Sequence, residues 1–270
     1  MSSSSQTKYP KKANAPNEAS VVLLRSLCER LKPMLNTAVY LSQEQLKDLG
    51  VECAGLDLDT GKPTDKGPRF LQLASMSQME TLAEKANLID MDVVQDSTEN
   101  DWHTMRFISY FYLTLFRLVP EEDHPDRQTI LQKTPWSITN FEYIGNSTAE
   151  GCHWVVGFAL KVSDKSMPDV VCFLGNEEPL RDDEIYTSEL WCISRFGGGE
   201  LIKKEYRHHQ TAPVTVVSVS GRSLRVVQGY TDGRVVVRKS PIYELDSDDE
   251  TNLSVLLKFA PWFLGHPCRE

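Results

Sequence analysis

The hydrophobic rhythm of the chain changes near residue 136. Before it, apolar residues return at helical spacing; after it they come in short β-type runs divided by Gly, Asp and Pro. Val21, Val22, Leu24, Leu27, Cys28 and Leu31 predict a helix over 18–32, closed by Pro33. Ser42, with Gln45 three residues on, predicts a capping box and a short helix ending at Gly50. Residues 55–68 read as a loop. Asp57, Asp59 and Gly61 resemble the start of a calcium loop, but its twelfth position is Pro68 instead of a glutamate. Met76, Met79, Leu82, Ala83 and Ala86 predict a helix over 75–89, and Phe107, Ile108, Phe111 and Leu115 a buried one over 102–118. Asp123, His124 and Asp126 follow in a polar loop.

Strands are predicted over 136–143, 152–162, 167–174 and 190–196, with a turn at Gly145-Asn146. Gly197–Gly199 should break the chain before a short helix over 200–210. A three-strand meander over 214–220, 224–230 and 234–239 turns at Gly221 and at Asp232-Gly233. A last helix over 251–260 should stop at Pro261. This order predicts an α+β fold, with N-terminal helices packed on a twisted mixed, mostly antiparallel sheet. Residues 1–17, with a serine run and three lysines, read as a disordered leader. Residues 18–270 read as one domain, helical over 18–125 and sheet-rich over 136–262.

Composition narrows the classes. With 270 residues, 40 % hydrophobic and 25 % charged, the chain is neither a fibre nor disordered. Its apolar runs fall far short of the ~20 residues of a membrane span. Six cysteines without a C-x-x-C pair fit reduced thiols in a cytoplasmic or nuclear protein. A net charge of -9 excludes a whole-surface polyanion coat. No GxxxxGK[ST], GxGxxG or GxSxG is present, so nucleotide loops and the hydrolase elbow lack their signatures. The most basic stretch holds Lys203, Lys204, Arg207, His208 and His209, followed in the meander by Arg222, Arg225, Arg234, Arg238 and Lys239. Its candidate ligand-binding residues are Lys203, Arg207, His209, Arg222, Arg225, Arg234 and Arg238, for an anionic ligand, nucleic acid or a protein partner.

Pro168-Asp169 opens one predicted strand and Leu190-Trp191-Cys192-Ile193-Ser194-Arg195 forms the next. A polar helix, the meander and a helix follow. This layout over roughly 100–262 resembles the PD-(D/E)XK nuclease-like superfamily, in particular the nuclease-like region preceding the kinase part of fungal-specific kinases. The resemblance implies a restriction-endonuclease-like fold and a Mg²⁺ site in which two carboxylates hold the metal and a lysine orients the attacking water. Asp169 matches the aspartate after proline, as catalytic residue and metal ligand. The acid-x-lysine is absent from 190–196, which leaves Glu189 and Glu200 as further catalytic candidates and marks the signature as degraded. The leading expectation is a nuclease-like protein with a degenerate metal site that binds an anionic ligand or partner. Its alternatives are a phosphodiesterase or nuclease using Asp169, and a small-molecule enzyme that reuses the scaffold. The sequence leaves ligand identity and oligomeric state open.

Overall fold

The structure, a computed structural model, describes residues 16–85, 101–118, 128–139, 154–245 and 249–270. Most of the expected leader, the Asp123–His124–Asp126 loop, the Gly145-Asn146 turn and Cys152 lie outside the described residues. The helices are α1 (Glu18–Leu31), α2 (Gln43–Asp48), α3 (Met76–Lys85), α4 (Asp101–Arg117), α5 (Thr187–Leu201) and α6 (Asp249–Leu264). The longer strands are β2 (Val51–Gly55), β4 (Trp136–Thr139), β5 (Trp154–Val162), β6 (Val170–Asn176), β8 (Val214–Ser220), β9 (Ser223–Thr231) and β10 (Val235–Lys239). Short pairings are β1 (Tyr40–Leu41) with β7 (Ile185–Tyr186), β3 (Leu71–Gln72) with β12 (His266–Pro267), and β11 (Tyr243–Glu244) with β9.

The main sheet runs β2-β10-β9-β8-β6-β5-β4. Neighbours are antiparallel except β2/β10 and β6/β8. The expected α+β fold with a mixed, mostly antiparallel sheet is therefore present. A parallel pair needs a crossover between its strands, and α5 is that crossover for β6 and β8. Side chains alternate across the sheet, and both faces are covered. Val171, Phe173, Val217 and Val219 pack with α4 and α6, while Val170, Cys172, Val214 and Val216 pack with α1 and α5. Two covered faces explain why β6 and β8 read as unbroken apolar runs.

Four expectations need correction. The predicted strand over 190–196 is the middle of α5. Among its eleven buried positions, Glu189, Leu190, Ile193, Phe196, Gly197, Glu200 and Leu201 recur at three and four residues, the helical period. The glycine run does not break the chain either. A Cβ at Gly197 would lie 3.1 Å from the Ala212 carbonyl and 3.3 Å from Leu24, so small residues let α5 approach α1 and β8 closely. That packing offsets the ~1 kcal/mol that Gly197 costs the helix, whereas a Cβ at Gly199 would meet open space. Past the helix, residues 204–206 form only a 3₁₀ turn instead of a helix over 200–210. Finally, α6 passes through Pro261 to Leu264, and the Gly265 N–H bonds back to the Pro261 carbonyl at 2.8 Å.

Candidate functional site

Each candidate carboxylate is held by a cation of the same chain. Asp169, at the start of β6, is 3 % exposed and receives both Nη atoms of Arg269 at 2.9 and 2.5 Å. Burial pushes its carboxyl above the usual range even though Arg269 pulls it down. Glu189, in the first turn of α5, is fully buried. It accepts from Arg225 Nε at 2.9 Å, from Arg225 Nη2 at 2.6 Å and from the Tyr186 N–H at 2.8 Å. Glu200 binds Lys203 Nζ through both oxygens, at 2.6 and 2.5 Å.

These acids do not converge. Arg225 pairs with Ser218, and Ser218 with Leu174, so the Glu189–Arg225 pair lies about five residues, or ~17 Å, along β6 from Asp169. Glu200 is eleven residues, ~16 Å, along α5 from Glu189. Among the described residues no three His, Cys, Asp or Glu side chains are placed to hold a metal ion. Hard-cation sites need several oxygens on one centre. The donor set therefore does not fit the Mg²⁺ that the resemblance implies.

The basic meander is not one exposed cationic face. Arg225 and Arg238 are 1 % and 0 % exposed. Arg238 Nε and Nη2 bind Asp65 at 2.8 and 2.6 Å, Nη1 binds the Pro68 carbonyl at 2.7 Å, and its guanidinium lies over the Tyr230 ring. Period-two geometry does put Arg238 on the side of Val236, but Phe70 and Tyr230 cover that side. Arg234 is exposed and paired with Glu52 at 2.6 Å. Arg222 sits at the opposite end of β9, ~30 Å away by strand length. Lys203 is bound to Glu200, Arg207 is exposed, and the half-buried ring of His209 lies tilted against His208. Burial and the neighbouring His208 and Arg269 depress the pKa of His209.

This placement separates two arginines that the strand pattern alone puts together. Arg234→Ala should change stability by about 0–1 kcal/mol, as for an exposed pair. Arg238→Ala leaves Asp65 uncompensated and the Pro68 carbonyl without its donor, and should cost several times more. Urea unfolding of both variants checks this. Equal small effects would show that Arg238 is solvated.

A further cation of the meander, Lys239, stands at the end of β10. It is half-buried, and its ammonium makes no hydrogen bond or ion pair among the described residues. Burial, with Arg225 nearby, holds its ammonium below the usual lysine range. Lys239 pairs in register with Gly55, so it lies where the parallel strands β2 and β10 both finish. There the chain opens a shallow surface groove of about 880 Å³. Cys53, Ala54, Leu56, Pro241 and Tyr243 supply apolar wall, and Asp57, Asp59 and Asp182 supply charge. Burial pushes the Cys53 thiol up, which keeps it neutral. Asp57 closes its own turn on Thr60, through the backbone N–H at 2.8 Å and the hydroxyl at 2.6 Å, and Asp59 faces Lys258 at 3.8 Å. The faint calcium-loop pattern is thus a turn that forms one wall of the groove.

The strand β2 and its groove were missed in the sequence. Val51–Gly55 is short, follows a helix directly, and pairs in parallel with residues some 180 positions later. The one visible signal was Lys239 at the end of a valine-rich strand. No family model, no curated protein and no solved structure matches this chain. Among the described residues no helix is long and apolar enough to cross a membrane.

Proposed function

We propose that this protein is a nuclease-like scaffold that has become a binding protein, taking a small ligand through an anionic group at Lys239. The observation that carries the reading is the fate of the charges. Asp169, Glu189 and Glu200 are each neutralised inside the chain, while Lys239 alone among the meander cations Arg225, Arg234, Arg238 and Lys239 has no counter-charge in contact. The second strand of the nuclease-like layout, 190–196, is helix α5, so the scaffold half of the proposal rests on the order of strand β6, returning strand β8, hairpin and helix α6 alone. A half-buried ammonium without a partner has lost part of its hydration, and a ligand anion restores it.

Two measurements test this. DNA and RNA incubated with the protein and Mg²⁺ or Mn²⁺ should stay intact; cleavage abolished by Asp169→Ala would restore the nuclease reading. A thermal-shift panel of small carboxylates and phosphates should contain stabilisers whose effect is lost in Lys239→Met. If no anion stabilises the wild type, the binding reading fails.

A further inference from the structure

The groove holds a second charge without a partner. Asp182 lies on the loop between β6 and β7 and is exposed. Like the Lys239 ammonium, its carboxylate makes no hydrogen bond or ion pair among the described residues. The two side chains attract each other electrostatically without forming an ion pair. The other carboxylates of the groove are engaged, Asp57 by its Thr60 turn and Asp59 by Lys258. The groove thus presents one unpartnered positive pole and one unpartnered negative pole.

From this we infer that the ligand is a small zwitterion, an amino-acid-like molecule whose carboxylate meets Lys239 and whose ammonium meets Asp182. The inference rests on the groove reading above and narrows it. A simple anion reaching Lys239 would lie in the field of Asp182 and of the two other carboxylates. A simple cation at Asp182 would meet Lys239 and the guanidinium of Arg225, which also acts on Asp182. A molecule carrying both charges satisfies both poles, and the attraction at each end offsets the repulsion the other end meets. Its hydrocarbon body has Ala54, Pro241 and Tyr243 to lie against. One face of the Tyr243 ring is already covered by Lys258 Nζ, at 5.5 Å from the ring centre, so the remaining surface favours an aliphatic body over a second cation.

The test is calorimetric titration of the full chain with glycine and the ω-amino acids from β-alanine to 6-aminohexanoate, beside hexanoate and hexylamine. One chain length should bind at least tenfold more tightly than either single-charge probe. Asp182→Asn should abolish the advantage of that amino acid over hexanoate, while hexanoate itself binds at least as tightly as to the wild type. Lys239→Met should weaken both. Because both residues reach the surface, unchanged melting temperatures of the variants will show that folding is not the cause. If hexanoate matches the best amino acid and depends on Lys239, the anion site stands and the zwitterion inference falls. If neither anions nor amino acids bind, both fall together.

Discussion

Arg225→Ala should lower the unfolding free energy by about 3–5 kcal/mol, the usual consequence of stranding a buried charge. Glu189 loses two hydrogen bonds from Arg225 and stays at a site with no solvent exposure. Arg225 Nη1 also donates to the carbonyls of Arg181 and Glu184, at 2.7 and 3.0 Å, so the loop before α5 loses its anchor to β9. The double variant Arg225→Met with Glu189→Leu removes both charges and should recover part of the loss, since apolar replacements of a buried pair are often neutral or better. Recovery will stay incomplete because the two loop carbonyls remain without donors. Urea midpoints of the two variants and the wild type measure it. A single-variant cost below ~1 kcal/mol would show that the pair is hydrated.

Phe263→Ala should cost a similar amount, about 3–5 kcal/mol, for a different reason. Its ring is fully buried and stands 4.8 Å from Tyr112, 5.7 Å from Phe116 and 5.2 Å from Phe158, measured between ring centres. It therefore joins α6, α4 and β5 in one cluster. Truncation leaves a cavity lined by rigid rings that collapse poorly. Guanidinium unfolding gives the loss. Phe263→Leu, which keeps most of the volume, should cost much less. If both variants lost the same small amount, the cluster would not be tightly packed.

The two positions differ in how visible they were. Phe259, Trp262 and Phe263 belong to an apolar stretch that signals a buried helix wherever the chain places it, although Pro261 led to an early end for α6. A proline can stay inside a helix when packing holds the turn around it, and Phe259, Ala260 and Trp262 are all buried. Arg225 offered no such signal. A charged residue in a strand looks solvent-facing until its partner is known, and Glu189 is 36 positions away in the chain. The same blindness affected Arg238 with Asp65 and Asp169 with Arg269, separated by 173 and 100 positions.

Local pattern determined most of the elements. The capping box at Ser42 and Gln45, α1, α4, the three meander strands and the turn at Gly233 all follow from neighbours within a few residues, where periodicity and turn chemistry act directly. The helix α5 was misread because an apolar run of strand length carries no period of its own until the buried set is known. Tertiary structure alone decided which charges are neutralised, that β2 joins the far end of the sheet beside β10, and that Lys239 and Asp182 share one groove. Those outcomes depend on the distance between side chains brought together by folding, and Coulomb energy and desolvation are functions of that distance and not of sequence separation.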